Sequence, residues 1–434
     1  MRGLLALVAL TAAGASPVVS VENERNASRA PGDQAEVAIA ADPSDPNILL
    51  GASGGFARTR TYTSTDGGKT WRSAADVPNT LLGDVPAGDP MPAIDSAGHQ
   101  YLGFVAASPT TPAPYYALAT RDGSNDDWQP TNRPILDDRF QDKPMLAVDN
   151  APDSPNPGRL YMGGVEFRIG RGSGTMVLTH SDDRGQSWSE PVTLTTGRDA
   201  TIPQFLTLAV GRGGVVYAGW MRANGSLELT RSVDGGDTFS SSRVAVRLPG
   251  AAAWAVPAQT IPRRGNRRFV TATPLLRVDT TSGAFADRLY LGFGERRNGR
   301  TNVFVLRLSP ELRPIGRPVA VARGSRTADR FFPAIDLDES TGDLWDCFYA
   351  TDGSRDLRRV RFSCSVSRDG GASWSAPVRA ASRFSLVTRQ TGDVSFGYGD
   401  YEGLAVAGGA AHPMWTDSRA RSGSEIWTAR LAVH

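Results

Sequence analysis

One short phrase recurs along this chain and narrows the folds open to it. Ser64-Thr65-Asp66-Gly67-Gly68-Lys69-Thr70-Trp71 reads as a strand end, a tight turn and a new strand. Asp-Gly-Gly supplies backbone freedom and side-chain-to-backbone hydrogen bonds for the turn, and the Thr and Trp that follow suit a half-buried strand. Close copies stand at Ser181 to Trp188, Ser232 to Phe239 and Ser367 to Trp374, with a frayed one at Thr120 to Trp128. Such a unit cannot bury its apolar face alone and must stack on its neighbours, so the repeat outweighs the expectation of several domains that 434 residues would otherwise carry.

Between the turns a second phrase repeats: small or apolar residues run into an Asp, then a turn and an aromatic-rich strand. It is clearest at Ala93-Ile94-Asp95, Ala147-Val148-Asp149 and Ala334-Ile335-Asp336, and looser at Ala40, Ala209, Arg277 and Ala405, which makes seven. Small residues suit an innermost strand near an axis and bulkier ones the next strand outward. With short β-type runs and no useful helical period, the chain reads as all-β. The turn phrase resembles the Asp-box, or BNR repeat, of the sialidase-like β-propellers. That resemblance implies a single-domain propeller of four-stranded blades, here seven, with six as the alternative. The blades fall at about 35–78, 89–136, 142–195, 203–248, 268–323, 330–381 and 400–432, the fifth and seventh without a box. The seventh is one strand short, so Val18 to Asn26 is expected to complete it and to close a domain spanning 16–434. The resemblance also makes the boxes structural turns away from the site, with Trp71, Trp188 and Trp374 packing beside them.

If the Asp phrases mark equivalent inner strands, the residues four and five places before each one gather at the mouth of the central channel. They are Glu36, Asp89, Asp142 with Lys143, Gln204 with Phe205, Thr273, Asp329 with Arg330, and Asp400 with Tyr401 and Glu402 following. Concave mouths of closed sheets are where ligands bind. The resemblance implies an exo-glycosidase, with Asp142, Tyr401 and Glu402 as catalytic residues, since sialidases replace the usual carboxylate nucleophile by tyrosine. Glu36, Asp89, Arg139, Lys143, Asp329, Arg330 and Asp400 would bind an anionic sugar. Structural pairing of Asp329 with Arg330 and of Asp142 with Lys143 is the plainer reading. The arginine cluster of sialidases has its nearest counterparts in Phe167-Arg168-Ile169-Gly170 and in Arg139, Arg198, Arg330 and Arg389. Two further readings stand beside the hydrolase: a non-catalytic glycan- or protein-binding propeller, and a polysaccharide lyase.

The net charge of +2 gives no footprint for nucleic acid. Of 47 basic residues only Lys69 and Lys143 are lysines. Arg2, the apolar run Leu4 to Ala13 and the small-residue site Ala13-Gly14-Ala15 have the order of a signal peptide over 1–15, which points to a secreted or cell-envelope protein. No run is long enough to span a bilayer. Cys347 and Cys364 flank the turn-like Thr351 to Asp356, as a cross-strand disulfide or as two buried thiols. The scattered histidines give no metal site, no cofactor motif is present, and a monomer with a glycan ligand is expected.

Overall fold

The computed structural model describes residues 17–29, 33–55, 58–107, 113–136, 139–168, 173–195, 202–260, 267–322, 327–387, 397–419 and 423–434. The proposed signal peptide lies outside them. Seven antiparallel sheets of four strands or more form a seven-bladed β-propeller. Six are continuous in sequence: 35–76, 85–130, 140–193, 203–247, 275–320 and 330–379. Their innermost strands meet in cyclic order around the axis, from Ala35–Ala41 through to Gly403–Ala407 and back.

Blade 7 holds Gly403–Ala407, Ala410–Asp417 and Glu425–Val433, and its outermost strand is Val19–Asn26 from the other end of the chain. The two ends pair antiparallel, Val19 opposite Val433 and Asn26 opposite Trp427. Arg419 ties the seam: it donates to Glu24 (2.6 Å) and Asp417 (2.7 Å) and lies 4.0 Å over the Trp427 ring.

Apolar side chains pack between blades, so the core is a ring of interfaces. Tyr161, Leu178, Leu208 and Trp220 fill one between blades 3 and 4; Val37, Tyr62, Trp71, Met414 and Ile426 fill the closing one between blades 1 and 7. In blade 6 Cys347 and Cys364 face each other across adjacent strands and are joined by a disulfide.

The boxes build their turns from side chains. Ser64 accepts a hydrogen bond from the Gly68 amide (2.9 Å) and donates to Asp66 (2.9 Å), which accepts the Thr70 amide (2.8 Å) and hydroxyl (2.6 Å). The same pattern recurs around Asp183, Asp234 and Asp369. Gly68 has φ +79°, and a Cβ there would stand 3.0 Å from His412 Nδ1, so the position excludes larger residues. Blade 5 carries a degenerate box that its sequence hides: Ser309 donates to Glu311 (2.9 Å) and accepts the Arg313 amide (3.4 Å). Glu replaces the Asp, and Leu312 takes the left-handed conformation (φ +63°).

Two boundaries differ from the sequence reading, and both bear on the site. Arg267–Thr271 does not open blade 5, whose inner strand is Leu275–Val278; it pairs with Ala253–Thr260 in a separate two-stranded ribbon. In blade 6 the turn-forming Asp is Asp338. It accepts the amides of Ser340 (2.8 Å) and Thr341 (3.0 Å), as Asp95 accepts Ala97 (3.0 Å) and Asp149 accepts Ala151 (3.1 Å). Asp336 instead receives Arg277 of blade 5 (2.7 Å) and the Val406 amide of blade 7 (2.8 Å). Two Asp residues at a spacing of two preserve the strand face, so alternation alone cannot choose between them.

Candidate functional site at the channel mouth

Each blade begins its inner strand at the end of the channel opposite the Asp-boxes, and there the strands are deformed in a repeated way. In blades 1, 2, 3, 4 and 6 the pairing with the second strand slips, and one non-glycine residue takes a left-handed conformation: Glu36 (φ 56°), Asp89 (50°), Lys143 (51°), Phe205 (57°) and Phe332 (52°). A bulge of this kind re-aims a side chain, and bulky residues enter that region only at a cost. Its recurrence marks these five positions as one built ring.

The ring converges on Lys143. Its ammonium lies 2.6 Å from Asp400 and 3.8 Å from Asp89, and 5.0 Å over the Phe205 ring. Asp89 also accepts the Tyr401 hydroxyl (3.2 Å). Burial pulls the lysine toward neutrality, but Asp89, Asp400, Glu36 and Asp142 together outweigh it and hold its pKa well above the usual range. Burial, the largest influence, pushes Asp142 up to about 6; Lys143 opposes this, while the charge of Asp89 and a hydrogen bond to it reinforce it. Burial, then Asp89 and Glu36, raise Tyr401 far above its ordinary value, so its hydroxyl is a donor.

Asp400 arrives on a tightly held segment. Gln259 of the ribbon accepts the Tyr398 amide (2.9 Å) and donates to the Gly399 carbonyl (3.1 Å). Gly399, at φ +79°, lets this backbone pass against Glu36, whose Cγ a Cβ would approach to 2.8 Å. Beside Lys143 and Asp400 opens a pocket of about 550 Å³ walled by blade 4 and the ribbon.

Six of the sequence-selected residues therefore belong to one cluster: Glu36, Asp89, Asp142, Lys143, Asp400 and Tyr401. Others are placed elsewhere. Glu402 follows Tyr401 but engages the opposite side, accepting Tyr349 (2.7 Å) and the Thr416 amide (3.0 Å) in the packing of blades 6 and 7. Arg139 binds Glu166 (2.9 Å) in the crevice between blades 2 and 3. Asp329 accepts the Thr301 amide (3.0 Å), and Arg330 is buried against Asp352 (2.6 Å). Counted from Asp338, the ring position of blade 6 is Phe332, which the two-residue slip hid. Arg198 and Arg389 lie outside the described residues, as do Ile169 and Gly170 of the Phe167-Arg168-Ile169-Gly170 stretch. Among the described residues no group of three or more His, Cys, Asp or Glu is arranged to hold a metal ion.

Fold, boxes and mouth define an Asp-box β-propeller. Its architecture is that of the sialidase-like propellers, and residues 62–73 match the BNR/Asp-box repeat model. Among the solved structures that share the fold are the following three. An α-L-arabinofuranosidase of Fusarium graminearum in complex with an iminosugar inhibitor aligns over 79% of this chain and 92% of its own, at 12% identity and a TM-score of 0.52. An ulvan lyase, the structure of a new polysaccharide lyase family, aligns over 93% and 95% (12%, 0.54). The NanB sialidase of Streptococcus pneumoniae aligns over 77% and 67% (12%, 0.50). No curated protein sequence matches the chain.

Proposed function

We propose that this protein is an exported glycoside hydrolase that acts on a neutral sugar at the channel mouth. The observation that carries the reading is the pairing, around Lys143, of a carboxyl that keeps its proton to about pH 6, Asp142, with a carboxylate bound to the ammonium, Asp400. Glycoside cleavage needs two carboxyl groups in opposite protonation states. Asp142 gives its proton to the glycosidic oxygen as the bond to the anomeric carbon breaks. Asp400 takes the proton of the water that adds to that carbon. Tyr401 donates to Asp89 and fixes its orientation, and Asp89 faces the positive charge that develops on the sugar.

The balance of charge argues for a neutral substrate. Among the described residues Glu36, Asp89, Asp142 and Asp400 surround a single ammonium, so a sialic acid or uronate carboxylate would enter a negative field. Of the arginines expected to grip such a group, Arg139 and Arg330 are bound to Glu166 and Asp352, and Arg198 and Arg389 lie outside the described residues. This favours neutral glycosides over the sialidase and lyase readings; arabinosides head the panel to be tried, because the arabinofuranosidase shares the fold. The disulfide between Cys347 and Cys364 supports export to an oxidising compartment.

The test is a rate profile on arabinosides and other neutral glycosides from pH 4 to 9. Hydrolysis should fall as pH rises through about 6, where Asp142 loses its proton. Asp142→Asn should lower kcat about 10²- to 10⁴-fold with substrate affinity kept. Turnover of sialosides or uronic-acid glycans alone would overturn the reading, and binding without turnover at any pH would make the propeller a lectin-like binder.

A further inference from the structure

The pocket beside Lys143 and Asp400 differs in character from the cluster that borders it. Its walls are Phe205, Met221, Phe269 and the alanines at 251–253, with Gln204 and Thr271 adding few polar groups. A sugar buried here would leave most hydroxyls without partners, and each unsatisfied hydroxyl weighs against burial. An apolar group would not. The volume of about 550 Å³ suits an organic ligand, and pockets of this kind use a few polar groups to orient an apolar body.

The ribbon explains how the apolar wall is held open. In a two-stranded ribbon alternate residues face opposite ways. Trp254 and Val270 are opposite each other and turn into the core, Trp254 donating to Thr301 (2.8 Å). Alternation therefore turns Phe269 and Thr271 to the other face, toward the pocket, where Phe269 stands 54% exposed. Across from it Phe205 is fixed by its left-handed bulge, with the Lys143 ammonium on its ring. Two aromatic residues, one strained and one exposed, thus flank a space that ends at the ionic pair.

We infer that this pocket receives an aromatic group carried by the substrate, so that the mouth takes an aryl-substituted neutral glycoside with the sugar at the Asp142–Lys143–Asp400 cluster and the aryl ring between Phe205 and Phe269. The inference rests on the glycosidase reading for the sugar half alone.

The experiment titrates the full chain with 4-methylumbelliferone, with 4-methylumbelliferyl glycosides of a panel of neutral sugars, and with the methyl glycosides of the same sugars. The aryl ligands should bind about tenfold or more tightly than the methyl ones. Phe269→Ser, at an exposed site, should leave the melting temperature unchanged and weaken aryl ligands alone by about tenfold. Leu136→Ser, at a still more exposed apolar residue in the crevice between blades 2 and 3, should alter nothing. Equal affinity for aryl and methyl glycosides, or indifference to Phe269→Ser, overturns the inference. Phe269-dependent binding of 4-methylumbelliferone without binding of any glycoside supports the aryl pocket and removes the glycosidase reading. Hydrolysis of neutral glycosides that ignores Phe269 keeps that reading and removes the pocket.

Discussion

Lys143 is the residue on which the mouth depends. The chain uses arginine for nearly every cation and keeps lysine at only two positions, one of them here. A compact ammonium meets Asp400 and Asp89 at the same time, whereas a planar guanidinium would impose its own fork. Lys143→Met would leave buried carboxylates uncompensated and should cost about 3–5 kcal/mol at pH 7.5. Without the ammonium, which opposes the upward push of burial on Asp142, the folded-state pKa of that carboxyl rises further. The stability it contributes is then fully present below its unfolded pKa, about 4, and lost as pH rises. Urea unfolding should therefore show a smaller deficit at pH 5 than at pH 7.5; equal deficits would mean that Lys143 acts by packing alone. The contrast is Arg330, buried against Asp352. Counting residues from the Asp phrases brought Lys143, Asp89, Asp142, Asp400, Tyr401 and Glu36 to one place, because a propeller repeats its strand entries. It misplaced Arg330 because Asp336 and Asp338 both fit the phrase, and Glu402 because neighbouring residues on an extended chain face opposite ways.

At the scale of the element, the boxes and the bulges divide the labour. The boxes lie where the third strand of a blade turns into the fourth, and the bulges lie at the other end, so the structural turns and the candidate site separate in space. Trp71 packs with Val37, Leu49, Tyr62 and Met414 at the closing interface. Trp71→Ala should cost about 3–5 kcal/mol in chemical denaturation while ligand affinity per folded molecule is unchanged. Lost affinity with intact stability would place the box in the site. Box positions were legible because Ser, Asp, Gly and Trp each meet a separate demand of one turn. The box at Ser309 was not, since Glu311 makes the Asp bond one methylene longer and Leu312 accepts a glycine conformation. Nor did any signal mark the ribbon of Ala253–Thr260 with Arg267–Thr271, whose alternation reads like one more blade strand.

At the scale of the molecule, closure and the mouth are one problem. Lys143 enters from blade 3 and Asp400 from the segment leading into blade 7, so their 2.6 Å contact spans the channel and holds only while the ring is shut. What shuts it is Val19–Asn26, paired along Glu425–Val433. Removing residues 17–26 would strip a strand from the blade, expose the edge of Glu425–Val433 and leave Arg419 without Glu24. The melting temperature should fall by roughly 10 °C. Ligand affinity should fall with it, because blade 7 then moves freely against blade 1 and carries Asp400 away from Lys143. A synthetic peptide of residues 17–28 added to the truncated protein should restore both by strand addition, while a scrambled peptide should restore neither. A truncated protein with an unchanged melting curve would show that the other three strands of blade 7 close the ring by themselves. A lowered melting temperature with undiminished affinity would show that the mouth keeps its geometry without the seam.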